Sequence, residues 1–173
     1  LINNAFDTEK IASSRKDNEG VYIVPAFSGL GAPYWRPEAR GLITGLTRNS
    51  DWKVLVRAVV ESVAYQSYDL FSSMKKDGLK PKIIKIDGGM VANNWFAQFL
   101  SNIINLNVIR PKILETTALG AAFLSGYQIG EFKSLNQIKK KWKKDRVFYP
   151  KIDKSFRNNL LKGWKLAIRK TLT

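Results

Sequence analysis

Lys82-Ile83-Ile84-Lys85-Ile86-Asp87-Gly88-Gly89-Met90-Val91-Ala92-Asn93-Asn94-Trp95-Phe96 is the stretch whose reading decides the fold. Ile84 and Ile86 alternate with lysines, as expected of a half-buried strand. Gly88-Gly89 lets the backbone turn sharply and approach a ligand with no side chain in the way. Asn93 or Asn94 is placed to cap the helix that follows. Trp95, Phe96, Phe99, Leu100, Ile103 and Ile104 form one apolar stripe at helical spacing. The stretch therefore predicts backbone N–H groups at a helix N-terminus, reached through glycines, at the carboxyl end of a strand. Nucleotides bind at such places in α/β proteins. The same residues also suit an ordinary strand–turn–helix corner.

Composition narrows the chemistry. The chain has 173 residues, enough for one domain with a real core, and 45% of them are hydrophobic. With five Trp, nine Phe and six Tyr it does not read as disordered. There is no Cys, which excludes disulfides and thiolate chemistry, and no His, which removes the commonest general base and zinc ligand. No apolar run approaches a membrane span, and the first residues lack the pattern of a signal peptide. A cytoplasmic protein without a membrane partner is expected. Because the sequence opens on Leu1, it is read as the inside of a longer chain or a trimmed one.

The net charge of +15 is uneven. Residues 1–132 carry 15 Lys and Arg against 12 Asp and Glu, whereas residues 133–173 carry 14 against 2. Such a tail could attract nucleic acid through counterion release. The absence of a recognition motif and the core-facing spacing of its aromatics favour a solvated helical tail instead.

Around the opening stretch, strands and helices alternate, which implies an α/β layer. Residues 1–20 are polar, with Ile2, Phe6 and Ile11 able to form one side of a short helix. Val21–Val24 reads as a strand stopped by Pro25, and Leu42–Leu46 as another. Between them, residues 28–41 form a loop that either lines a site or packs on its own aromatics Tyr34 and Trp35. Residues 51–75 predict the longest helix, with Asp51 as N-cap and an apolar stripe through Trp52, Leu55, Val56, Val59, Val60 and Val63. Glu61 beside this stripe reads as a structural carboxylate rather than a functional one. Asn107–Arg110 is a short strand. Thr116 or Thr117 caps a helix rich in Ala, Gly and Ser, read as a close-packing surface. Residues 134–146 read as a basic amphipathic turn or helix. A last helix starts at Asp153 or Ser155 and buries Phe156, Leu160, Trp164, Ala167 and Ile168.

Four blocks then carry a resemblance. Gly-Leu-Gly-Ala-Pro-Tyr-Trp at 29–35, Ala-Arg-Gly-Leu-Ile-Thr-Gly-Leu-Thr-Arg at 39–48, Asp-Gly-Gly-Met-Val-Ala-Asn-Asn at 87–94 and Thr-Ala-Leu-Gly-Ala-Ala at 117–122 resemble the C-terminal part of the glycerol kinases, in the FGGY family of carbohydrate kinases. Order and spacing match that family from Val21 onward. A second signature of the family matches at Gly41, Ile43, Gly45, Leu46, Ala58 and Glu61. It departs at Val54, where a polar residue is expected.

The resemblance implies an α/β fold: an incomplete ribonuclease-H-like (actin-like ATPase) lobe, its sheet flanked by helices. It implies a lead-in segment at 1–20 left from an upstream part. Residues 21–173 would be the C-terminal FGGY kinase lobe on the nucleotide side, ending in a basic helical tail at 133–173. Gly88, Gly89, Met90 and Asn93 are the nucleotide-binding residues it implies, with ATP or ADP as the nucleotide and Mg²⁺ held mainly by the nucleotide and the missing part. No catalytic residue and no metal ligand of this chain is implied. The general base, the polyol pocket and the first strands of the lobe belong upstream, so the partners expected are that upstream part, glycerol through it, and a second copy of the chain. Phosphoryl transfer would then convert ATP and glycerol to ADP and glycerol 3-phosphate. Competing readings are a non-catalytic remnant that self-associates, a kinase of another polyol or sugar, and a basic nucleic-acid-binding module.

Overall fold

A computed structural model describes residue 2 and residues 4–173 of the chain; Leu1 and Asn3 of the lead-in segment lie outside the described residues. In order, the elements are helix α1 (Asp7–Ser13), strand β1 (Tyr22–Val24), β2 (Leu42–Thr44), α2 (Trp52–Lys76), β3 (Ile83–Lys85), a 3₁₀ turn at Gly89–Ala92, α3 (Asn94–Ile104), β4 (Asn107–Pro111), α4 (Thr116–Gln128), α5 (Leu135–Lys141), β5 (Lys144–Phe148) and α6 (Lys154–Leu172). β1 and β2 pair antiparallel, with Ile23 opposite Ile43. The second sheet runs β3-β4-β5: β3 lies parallel to β4, and β5 antiparallel to it. β3 has one edge without a neighbour among the described residues.

Helix α2 forms because residues 52–76 contain neither Gly nor Pro and Asp51 caps them, accepting from the N–H groups of Lys53 and Val54 at 2.9 and 3.1 Å. Its buried face differs from the predicted stripe. Val56 and Val60 are buried as expected, but Trp52 and Val59 are 38% and 49% exposed. Burial runs instead through Val54, Ala58, Glu61 and Tyr65. The helix is clamped on two sides, by β1 and by α3, so its core surface is wider than one apolar stripe and includes a carboxylate that is satisfied internally. Val54 packs with Val21, Ile23 and Ala58, an apolar contact at the position where the resemblance led a polar residue to be expected.

Tyr65 sits at the centre of the core. Its ring stacks on Trp164 of α6 at 5.3 Å and meets Phe99 of α3 edge-on at 5.6 Å. α6 comes close to β1 because Gly163 has no Cβ: one placed there would stand 2.3 Å from the Tyr22 ring. The Tyr22 hydroxyl donates to the Leu160 carbonyl at 3.1 Å.

Two expectations change. The basic tail from 133 onward is not wholly helical, since Lys144–Phe148 adds strand β5 to the sheet. Its lysines and arginine concealed a strand whose Phe148 is buried on one side. Helix α4 does not press on a neighbour: it has no buried residue, and a Cβ at Gly120 would meet nothing within 4 Å. Of its two glycines only Gly126 stands close to a side chain, where a Cβ would lie 2.8 Å from the Phe132 ring just beyond the helix.

Candidate functional site: the glycine turn and its clamps

The strand β3 delivers the chain to Gly88, whose φ of 87° and ψ of 172° fall in a region open essentially to glycine alone. The Gly88 N–H donates to the Leu114 carbonyl at 2.9 Å, tying the turn to the loop before α4. Gly89 opens the 3₁₀ turn and is exposed, and a Cβ there would meet nothing within 4 Å. Nothing in the packing of this chain requires a glycine at 89. Met90 is 39% exposed beside it.

Asn93 settles the choice of cap. Its Oδ1 accepts the N–H of Phe96 at 2.8 Å, and its Nδ2 donates to Thr8 Oγ1 at 3.2 Å. Both polar atoms of Asn93 are thus engaged within the chain. Asn94 donates its backbone N–H to Glu9 Oε2 at 3.0 Å and its Nδ2 to Glu9 Oε1 at 3.1 Å. The N-terminus of α3 therefore already holds a carboxylate from α1. An aligned helix dipole favours one anion there, and Glu9 is that anion. The expected free cluster of N–H groups at this helix is filled, and the exposed part of the turn is Gly89 and Met90.

Sequence reasoning missed the residues that hold this turn. Arg110 of β4 donates through Nη1 to the carbonyls of Val91 and Ala92 at 2.9 and 3.2 Å. Its Nη2 reaches Asn94 Oδ1 at 3.0 Å, and its guanidinium pairs with Asp145 at 2.8 Å. Arg146 of β5 donates to the same Asn94 oxygen at 3.2 Å. The only advance signal was an arginine ending a strand just before a proline. Thr8 and Glu9 make the supposed lead-in segment part of the site's frame.

Asp87 is exposed. Glu61, by contrast, is fully buried and structural, as the sequence suggested. Arg57 Nε donates to its Oε1 at 2.7 Å and the Tyr65 hydroxyl to its Oε2 at 2.9 Å. Arg57 also donates to the carbonyls of Ala12 and Arg15, pinning the end of α1, and lies 4.8 Å from the Trp95 ring centre. Burial pushes the Glu61 carboxyl above its ordinary range, against the pull of Arg57 and Tyr65. The loop at 28–41 does pack: Leu30 is buried and the Tyr34 hydroxyl donates to Asp69 Oδ2 at 2.8 Å, while Trp35 is exposed. Among the described residues no three His, Cys, Asp or Glu side chains gather as a metal site, and no helix is long and apolar enough to cross a membrane.

A strand thus leads into a glycine turn and a capped helix, braced on a mixed sheet. Residues 3–129 match the model of the C-terminal domain of the FGGY family of carbohydrate kinases, and the chain belongs to that family. The glycerol kinase of Gluconobacter oxydans is 52% identical over 174 residues, covering 100% of this chain and 34% of that protein. The crystal structure of Plasmodium falciparum glycerol kinase with ADP superposes with a TM-score of 0.87 at 36% identity, over 99% of this chain and 35% of that one. Gluconate kinase from Lactobacillus acidophilus superposes with a TM-score of 0.74 at 27% identity, over 94% of this chain and 33% of that one. The chain thus spans about a third of the length of the relatives it matches. The incomplete actin-like lobe and its place in the C-terminal part follow from these matches.

Proposed function

We propose that the chain is the C-terminal portion of an ATP-dependent glycerol kinase and supplies part of its nucleotide side. In this reading Gly88 and Gly89 give the adenine nucleotide a bare backbone to lie on and Met90 packs against its base or sugar. Asn93 holds the turn in register as cap of α3. The carboxylate of Glu9 at the α3 N-terminus would repel a phosphate, so the turn suits the nucleoside end. ATP would arrive with Mg²⁺ held by the nucleotide and by the upstream part, which would also carry the general base and the glycerol pocket. The protein would work in the cytoplasm.

The observation that carries the reading is Gly89. It is exposed, unneeded by local packing, and clamped from behind by Arg110 through Val91 and Ala92. The 52% identity to a glycerol kinase favours glycerol over another polyol or sugar. A second reading, a remnant without catalysis, draws support from the open edge of β3 and the bare helix α4.

The test joins this chain to the N-terminal two thirds of the Gluconobacter oxydans glycerol kinase and assays Mg-ATP-dependent phosphorylation of glycerol. The chimera is expected to turn over and the chain alone to be inactive. A folded but inactive chimera would favour the remnant. Activity in the chain alone would overturn the upstream placement of the base.

A further inference from the structure

A second concave surface shares no residue with the glycine turn. It lies between α6, the 28–41 loop and α2, and encloses about 610 Å³, within the usual range for small-molecule pockets. Leu161 and Ile168, both buried in the core cluster, form its floor. Tyr34 and Tyr68 form its walls, each half-buried with ring surface left toward the groove. Lys162, Lys165 and Arg169 line the rim from one face of α6, three and four residues apart.

None of these three cations forms an ion pair among the described residues. The carboxylate beneath them, Asp69, is sealed in: its Oδ2 accepts from Tyr34 at 2.8 Å and from Trp164 Nε1 at 2.6 Å. Like charges three and four residues apart on one helix face repel one another. Of the three, Lys165 alone feels a carboxylate, the buried Asp69, so most of the rim's positive charge stands unmatched beside an apolar floor and two aromatic walls. The chemistry that complements this surface is negative at the rim and flat and apolar within.

We infer that this groove binds a small organic anion, a phosphate or carboxylate on a planar apolar body. The anionic group would sit among Lys162, Lys165 and Arg169, and the body between Tyr34 and Tyr68. A short groove of this size fits a small molecule better than a nucleic-acid backbone, which needs a continuous basic track.

The test is lysine acetylation of the chain, followed by mass spectrometry, with and without 1-naphthyl phosphate. Lys162 and Lys165 are expected to be protected while Lys139, Lys140 and Lys141 label as before. The neutral 1-naphthol and inorganic phosphate should each protect less. Calorimetric titration should show that Lys165→Gln and Arg169→Gln each weaken binding roughly tenfold, as loss of one charge-assisted contact implies. Both side chains are exposed and unpaired, so an unchanged circular dichroism spectrum is expected. Protection spread evenly over all tail lysines, or none at Lys162 and Lys165, overturns the inference. So does shielding of these two lysines in the chimera without added anion, because the groove would then be a face covered by the rest of the kinase.

Discussion

Arg110 Nη1 lies 2.9 Å from the carbonyl oxygen of Val91, so a side chain of β4 grips the backbone of the glycine turn from behind. The grip is two-pronged, since the Ala92 carbonyl accepts from the same nitrogen at 3.2 Å. Arg110→Ala should destabilise the chain by about 2 kcal/mol, the range for hydrogen bonds to a charged donor. Arg110→Lys should recover little, because one ammonium cannot reproduce the planar fork. Urea unfolding checks the stability. Hydrogen exchange at residues 89–92 checks the locality: protection lost evenly over the whole chain would contradict a local clamp.

The two glycines of the turn should behave differently when given a methyl group. At Gly88 the backbone itself forbids it, and Gly88→Ala should cost about 1–3 kcal/mol. At Gly89 the space is open, so Gly89→Ala should leave the melting temperature of the chimera nearly unchanged. If the nucleotide lies on that backbone, Gly89→Ala should raise the KM for ATP roughly tenfold. An unaltered KM would remove Gly89 from the proposed site.

Glu61 gives a sharper contrast between structural and catalytic roles. Glu61→Ala would leave the Arg57 guanidinium buried without its partner, at a cost of about 3–5 kcal/mol. Glu61→Gln keeps an acceptor for Tyr65 and should cost less. In the chimera the Gln variant should keep its kcat at low temperature. A large loss of kcat in a fully folded Gln variant would return Glu61 to the list of functional acids.

The sequence made the outline of the fold readable because its punctuation is local. Asp51, Asn93 and Asp153 cap the helices they precede, and Pro25 closes β1. What it concealed depends on partners far along the chain. The partnership of Glu9 with Asn94 spans 85 residues, and that of Arg110 with Asn94 joins two elements by side chains alone. β5 was hidden because Lys144, Asp145 and Arg146 keep the strand's outer residues charged, leaving no alternation to detect. The exposed Gly89 was legible, whereas the filling of the α3 N-terminus by Glu9 was not.

Asp69 sets a pH dependence. Burial raises its carboxyl above the ordinary 3.8, against hydrogen bonds from Trp164 and Tyr34 and the charge of Lys165. The folded chain therefore holds this proton to higher pH than the unfolded chain does. The associated stability is complete below pH 3.8 and is lost as pH rises through the raised value. Asp69→Asn has no proton to lose, so its unfolding free energy should fall less steeply over that window. Urea titrations at several pH values compare the slopes, and parallel slopes would argue against the raised carboxyl.

The open edge of β3 and the uncovered α4 predict self-association of the chain by itself. Leu124 on α4 and Ile83 on β3 are 62% and 51% exposed. Leu124→Lys together with Ile83→Lys should shift light scattering toward the monomer without lowering the melting temperature. A monodisperse wild-type monomer would refute the expectation.

The bare surface of α4 also divides the chain by how long its amides resist solvent. Those of α2, α3 and α6 around Tyr65 can open only when the aromatic core comes apart, and should exchange at the limit set by global unfolding. Those of α4 lack any such lock and should open on their own, many times faster. One polypeptide thus contains a slow clock and a fast one, and joining it to a partner that covers α4 should bring the two into step.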